Sequence, residues 1–444
     1  MTAVRRMLAG VRRYPTVAVS LFIIILLIGI SIYAMISLPL SEAIAKWNGS
    51  AAMWRYTPQC VPPTWTNLFR RENLPETIIV RTGDFETTAE GLRETTRRET
   101  TLLSFDYETV RFPSEAKIFY NIDYATKVPL VTLTWIKPDG SEIRLSHGTA
   151  PGGESRAELD LNEAFGEPLG VGSGTDPGFA VGDSETRAQK GTYYLRIEAL
   201  VFETEGFSLD GQIVLYGGVY GMAGTDFRRR DLSIGLLWGT PIALMFGLIA
   251  ATGTTLFAFI VAAIGAWYGG WLDATIQRLT EVSMMIPFLP TILMVGWFYS
   301  NDMWVLLGFI IGFSLFSGPL KSYRAMFLQA KQSQYIEAAR AYGASNMRII
   351  FRYLIPHMAP AILPRLIMGV PLFVFLEASL AVLGIADPDL PTWGKILSEA
   401  HTALYMGYYH WVLEPAFMLL LTGLSFSMLG YTLDRIFNPR LRNT

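Results

Sequence analysis

Hydrophobic and polar positions divide this 444-residue chain into two textures. Runs without a charged residue occupy 14–41, 232–272, 282–301, 303–320 and 415–433, and a sixth, about 361–386, is interrupted by Glu377. About 20 apolar residues of helix cross a hydrocarbon core of roughly 30 Å, so the pattern predicts six membrane spans. From about Ser50 to Val219 the texture changes to short runs broken by Gly and Pro. Ile78–Val80, Ile118–Tyr120, Thr192–Ile197 and Gln212–Tyr216 alternate or are β-branched, and each predicts a strand. Val131–Ile136 and Glu142–Leu145 flank Lys137-Pro138-Asp139-Gly140, which predicts a hairpin about a Pro-Asp-Gly turn. Several short strands with such punctuation favour a β-sandwich. Residues 148–190 are Gly-rich and acidic, and read more as loop than as sheet.

Composition agrees with the pattern: 51% of the chain is hydrophobic and 17% charged. The net charge of −2 conceals an asymmetry, because residues 42–231 hold 28 Asp and Glu against 20 Lys and Arg, while the rest holds 10 against 16. An acidic polar domain is thus inserted into a basic membrane protein. Six spans place both termini on one side, and the positive-inside rule selects the cytoplasm. That side then carries Arg5, Arg6, Arg12, Arg13, Arg278, Lys321, Arg324, Lys331, Arg340, Arg348, Arg352, Arg365, Arg435, Arg440 and Arg442. The two later outer loops carry one base, Lys395, beside Asp302, Asp387, Asp389, Glu399 and Glu414. Arg228, Arg229 and Arg230 fall outside, next to a large translocated domain where the charge rule is weak. The first run, followed by Ala43-Ile44-Ala45, also has features of a signal peptide. Its uncharged length far exceeds a signal peptide's core of about 7–15 residues, so it is read as a retained anchor.

Between two of the apolar runs lies Glu337-Ala338-Ala339-Arg340-Ala341-Tyr342-Gly343, continuing through Arg348 and Arg352 to Ile355-Pro356. This stretch resembles the EAA loop of the permease subunits of bacterial ATP-binding-cassette importers. Other segments, in the same order, resemble the dipeptide, oligopeptide and nickel branch of that family. They are Gly224-Thr225-Asp226 with Arg230-Asp231, Tyr268–Asp273, Glu377 with Leu380 and Leu383-Gly384, Pro391-Thr392-Trp393-Gly394, and Asp434-Arg435 with Asn438-Pro439-Arg440. The family's Gly before that Arg is absent here, and Arg229 stands directly before Arg230. Pro62-Pro63 with Trp65 resembles the segment that in the family directly precedes Gly-Thr-Asp, so the β-rich stretch separates the two. Tyr353 and Ile355 are apolar or amphipathic departures from the family pattern.

The resemblance implies six transmembrane helices of the type I ABC importer permease kind, with a β-rich, sandwich-like extracytoplasmic domain between helices 1 and 2. On this reading residues 1–13 are cytoplasmic, 14–41 form helix 1, 42–222 are the outer domain, and 223–444 form a five-helix core in the bacterial or archaeal cell membrane. The coupling loop at 321–360 would contact a separate ATPase through Glu337, Ala338, Ala339, Arg340, Gly343, Arg348, Arg352 and Pro356. Its partners would be a second, related permease, two ATPase subunits holding ATP and Mg, an extracytoplasmic solute-binding protein and membrane lipid. Nothing in the chain points to nucleic acid. The solute would be a peptide or similarly sized molecule; nickel complexes and oligosaccharides remain open within the same family.

The residues themselves explain several of these features. Gly343 suits a turn with positive φ. Arg348 and Arg352 share a helix face at i, i+4. Pro356, Pro360 and Pro364 should interrupt the helix before the next span. Glu377 is the acid well inside a span, either a packing contact or part of a gate. Gly308 and Gly312 have the spacing for close helix packing. His147, His357, His401 and His410 show no metal spacing, Gly172–Asp176 fails as a nucleotide fingerprint, and Gly394-Lys395 lacks the rest of a P-loop. No catalytic residue, metal ligand or cofactor is therefore assigned to this chain. The outer domain is read as a structural or docking module, or as a grip on the solute-binding protein. Two other classes compete: a membrane receptor with a ligand-binding β domain, for which one anchor would suffice, and an ion-coupled carrier, which predicts several buried charges and internal repeats.

Overall fold

The computed structural model describes residues 15–437 except 86, 94–95, 110, 151–156, 162–179, 182–183 and 204–205. The N-terminal arginines, Gly172–Asp176 and Asn438 onward, including Arg440 and Arg442, lie outside the described residues. The chain divides into two compact units, residues 49–233 and the remainder on either side. The first begins at 49 and not at 42. Helices α1 (Pro15–Ser37) and α2 (Leu40–Trp47) both belong to the other unit, where the indole of Trp47 packs at Gly235.

The unit of residues 49–233 is built on antiparallel sheets. Its strands are β1 (Ile78–Arg81), β2 (Thr87–Arg93), β3 (Thr96–Tyr107), β4 (Glu115–Asp123), β5 (Leu130–Ile136), β6 (Glu142–Thr149), β7 (Ala157–Asp160), β8 (Ala180–Val181), β9 (Ser184–Ala188), β10 (Gly191–Val201) and β11 (Ser208–Tyr216). One sheet has the order β1-β11-β4-β7, a second β2-β3-β10-β5-β6, and β8 pairs with β9. The period-two pattern of β10 buries Tyr193, Leu195, Ile197, Ala199 and Val201. Tyr193, Leu195 and Ile197 of β10, with Leu103 and Phe105 of β3, share one core with Ile118 of β4 and Ile213 of β11, which makes the two sheets a sandwich. Phe105, Trp135 and Tyr193 form its aromatic centre, with ring centroids 5.6–5.7 Å apart. The predicted hairpin joins β5 to β6. Gly140 takes φ +84°, and the Asp139 carboxylate accepts from the Ser141 amide and hydroxyl, which lowers its pKa. The two ends of the sandwich meet, since the Gly218 amide donates to the Pro75 carbonyl at 2.8 Å and a Cβ on Gly217 would strike the Pro75–Thr77 backbone. A large insertion can therefore leave and rejoin the chain at one point.

The other unit is helical. After α1 and α2 come α3 (Leu232–Tyr268), α4 (Gly270–Met285), α5 (Phe288–Phe298), α6 (Met303–Ser314), α7 (Gly318–Lys331), α8 (Gln334–Ala341), α9 (Asn346–Ile349), α10 (Ile355–Val382), α11 (Trp393–Glu399) and α12 (Tyr409–Phe437). Among the described residues four helices are long and apolar enough to cross a membrane, and up to six spans result if each bent pair counts as one. This is a multi-pass α-helical membrane protein with a β-rich domain. The apolar runs 282–301 and 303–320 are not single helices, because α4 and α5 bend by 78° at Ile286-Pro287 and α6 and α7 by 46° before Gly318. An 11-residue helix such as α5 rises only about 17 Å, too little to span alone.

Two further expectations are corrected. Pro356, Pro360 and Pro364 do not break the helix: α9 passes through a π turn (Ile350–Leu354) into α10 without interruption. Pro356 follows directly on the π turn, and the carbonyls left without an N–H partner by the three prolines lie in a helix packed against its neighbours. Gly308 and Gly312 have open space where a Cβ would stand, so among the described residues no close helix packing occurs at either. Close approach occurs elsewhere, at Gly239 against Trp393 and at Gly430 against Met368.

Candidate functional site

The stretch from Lys331 to Leu354 is positioned by its own termini. Helix α8 ends in a Schellman motif: the Gly343 amide donates to the Arg340 carbonyl at 2.9 Å, and the Ala344 amide to the Ala339 carbonyl at 3.1 Å. Gly343 supplies the left-handed residue, φ +74°, that this closure requires. Ser345 then starts α9. The amphipathic phase of α8 buries Ile336 and Ala339, and Ile349, Ile350 and Leu354 add to the same cluster with Tyr323 and Phe327 of α7. The opposite side presents Glu337, Ala338, Arg340, Arg348 and Arg352 to solvent, together with Met347, Phe351 and Tyr342, the last 92% exposed.

Polar contacts seat this segment on the ends of neighbouring helices. Lys331 Nζ donates to the carbonyls of Ala266 and Trp267 at 3.1 and 2.6 Å, at the negative C-terminal end of α3. The Arg340 guanidinium lies 4.7 Å from the Trp267 ring centroid. Arg324 of α7 binds Asp273 of α4 through two bonds of 2.7 and 2.5 Å. Sequence reasoning singled out the outward residues but not this seat of Lys331, Trp267, Asp273 and Arg324. The pair Gly269 and Gly270, both at positive φ, was the available signal that the chain turns sharply there. Of the predicted contact residues, Ala339 faces inward, Pro356 is exposed, and the interval from Arg348 to Arg352 runs partly through the π turn.

Glu377 is buried on α10. Its Oε1 accepts the Thr392 hydroxyl at 2.8 Å, and Thr392 Oγ1 in turn accepts the Lys395 amide, capping α11. Trp393, fully buried, donates to the Leu236 carbonyl at 3.0 Å, and a Cβ on Gly394 would stand 2.8 Å from Ala378 Cα. Pro391–Gly394 is thereby locked against α3 and α10. Among the described residues Glu377 Oε2 has no hydrogen-bond partner, and Glu377 borders, with Asn301 and Asp387, a cavity of about 10 Å³, which is room for about one water.

In the β-bearing unit the Gly-Thr-Asp segment has its own physical account. Asp226 and Arg230 form an ion pair at 2.6 Å with both side chains 0–2% exposed, and Asp226 Oδ1 also accepts the amides of Arg228 and Arg230. Thr225 pairs with Val61, Tyr220 with Pro62 and Thr64 with Gly221. The two halves that the insertion separates in sequence are thus adjacent in space. Arg229 takes φ +63°, a conformation that Gly adopts without strain. Its contacts offset the cost: an ion pair with Glu115, a bond to the Thr57 carbonyl, and the Tyr216 ring at 4.6 Å.

Comparison with known proteins decides what this architecture is. Residues 232–443 match the family described as binding-protein-dependent transport system inner membrane component. The glutathione transport system permease protein GsiD of Escherichia coli O6:K15:H31 is 32% identical over 230 residues, 49% of this chain and 72% of that protein. The chain belongs to this family. It is a permease subunit of an ABC importer, and so a transport subunit. The dipeptide transport system permease protein DppC of Alkalihalophilus pseudofirmus is 26% identical over 223 residues, 50% of this chain and 72% of that protein. The peptidoglycan transport system permease protein YejE of Agrobacterium fabrum is 31% identical over 219 residues, 49% of this chain and 56% of that protein. The family match begins at the first residue of α3, so the β-sandwich precedes it.

Proposed function

We propose that this permease forms half of the path by which an importer takes up peptides or solutes of similar size. The names of its relatives, which are dipeptide, glutathione and peptidoglycan systems, support that substrate class. The observation that carries the mechanism is the outward face of α8 and α9, held rigidly by the Gly343 closure and seated on the ends of α3 and α4. A second permease completes the path, and two separate ATPase subunits bind ATP and Mg. Each bent pair counts as one span, so there are six, with both termini and residues 321–360 in the cytoplasm and the sandwich outside, beside a solute-binding protein. Closure of the ATPases on ATP moves α8. Ile336 and Ala339 pass that displacement to α7, and the Lys331, Arg340 and Arg324 contacts pass it to α3 and α4. Nucleotide must favour the outward-open state for this cycle to run. Glu377 acts as a packing contact that fixes Pro391–Gly394, rather than as a moving gate.

The substrate class is tested with the complete transporter and its solute-binding protein in proteoliposomes. Labelled di- and tripeptides are expected to accumulate only when ATP is supplied on the ATPase side. Accumulation of a nickel complex or an oligosaccharide, with no peptide uptake, would replace the peptide reading with one of those alternatives.

A further inference from the structure

A cavity of about 890 Å³ opens in the helical unit where both bent pairs break, between Pro287-Phe288 and Ser317-Gly318, with α3 and α10 as its other walls. That volume lies within the range of cavities that enclose small organic ligands. Its lining mixes aromatic faces, from Phe288, Phe313 and Phe373, with hydroxyls of Thr254, Thr255 and Tyr323 and four serines. Among its described lining residues there is one charged side chain, Arg365, and no carboxylate.

Arg365 is unusual in its placement. The charged residues nearest to it in sequence are Arg352 and Glu377, thirteen and twelve positions away. At 1.5 Å per residue each is about 18–20 Å along the helix. Arg365 stands five residues beyond the loop assigned to the cytoplasm, and its guanidinium is exposed at the cavity and hydrogen-bonds the Tyr323 hydroxyl, which leaves further N–H donors for an anion or water. Its Cζ lies 5.6 Å from the centroid of the buried Tyr323 ring, which orients the group at the cavity wall. Guanidinium geometry matches a carboxylate through two parallel bonds. The cavity also receives the starts of α5 and α7, neither of which has a side-chain cap, so both add partial positive charge at the same breaks.

We propose that this cavity is a solute chamber of the permease and that Arg365 pairs there with a carboxylate of the passing solute, the free C-terminus of a peptide. The aromatic and hydroxyl walls take side chains and backbone of varied sequence, while the cation reads the one group that every unmodified peptide carries. The assignment rests on the peptide-import reading above.

The test uses the complete transporter in proteoliposomes, with one labelled peptide supplied as its free acid and as its C-terminal amide. Each variant's uptake is divided by wild-type uptake of the same compound, which cancels any preference of the solute-binding protein. Arg365→Gln is expected to lower free-acid uptake about tenfold while amide uptake stays within about twofold, and Arg365→Lys should recover part of the loss. Co-purification of the partner subunits establishes that both variants assemble. Equal loss for the two compounds, or loss for neither, would overturn the carboxylate assignment. Wild-type transporter that accumulates neither compound would instead remove the peptide reading, and the assignment with it.

Discussion

Gly343→Val is expected to lower transport at least about tenfold while leaving the protein inserted in the membrane. Gly343 stands at φ +74°, and a Cβ built on it meets nothing within 4 Å, so the substitution is not crowded. The penalty is conformational, roughly 1–2 kcal/mol for an ordinary L-residue in the left-handed region and more for a β-branched one. The Schellman closure of α8 relieves that strain by opening, and α8 and α9 then leave the fixed angle at which, on the proposed reading, their exposed face meets the ATPase. Uptake and solute-stimulated ATP hydrolysis should fall by at least about tenfold, the factor that roughly 1.4 kcal/mol of lost coupling corresponds to. Gly343→Asn is the control, because Asn tolerates left-handed backbone, and it should retain most of the activity. Two variants with equal activity would show that backbone geometry at this turn does not matter.

Asp226→Ala should be the most destabilising single change in the β-bearing unit. It removes a buried ionic partner of Arg230, itself 2% exposed, and the acceptor that the amides of Arg228 and Arg230 share. Removing one member of a buried ion pair costs about 3–5 kcal/mol. In a domain of this size that lowers the unfolding midpoint by roughly 10 °C. Thermal unfolding of the detergent-solubilised protein measures it. The pair Asp226→Leu with Arg230→Met should recover part of the loss, since two apolar groups leave no orphaned charge. An unchanged midpoint for Asp226→Ala would mean that the pair contributes nothing.

The parts legible in the sequence were those fixed by local chemistry. The Pro-Asp-Gly turn placed the β5–β6 hairpin, alternation placed β10 and β11, and Gly343 placed the end of α8. Strand β3 was not read because it opens on Thr96-Arg97-Arg98-Glu99, polar residues whose backbone pairing with β10 comes from the far side of the insertion. The apolar runs were legible but the helices within them were not. Pro287 and Ser317-Gly318-Pro319 break those runs, and charge alone does not show it. Three prolines in a row of turns looked like a helix break, yet the π turn before them and packing in the span keep the helix continuous. Between Gln334 and Leu354 the motif named residues but not their phase. Ile336 and Ala339 face inward because Tyr323 and Phe327 lie beneath them, and that contact joins residues distant in the pattern. The seat of Lys331 on the carbonyls of α3 involves backbone acceptors, which carry no sequence signature.

The central claim, that α8 and α9 present this permease to a separate ATPase, is tested most directly by a cysteine cross-link. The chain has one cysteine, Cys60, whose thiol is buried and pushed up to about 12 by burial and by Asp226, so it is inert near neutral pH. Tyr342→Cys therefore introduces one reactive, exposed thiol at the tip of the segment. In native membranes treated with a short thiol–amine cross-linker, the account predicts a single adduct with an ATP-binding subunit, whose yield changes when nucleotide is added. A chain that gives no such adduct, while Leu68→Cys in the β-bearing unit reacts freely with a soluble thiol reagent, would contradict it.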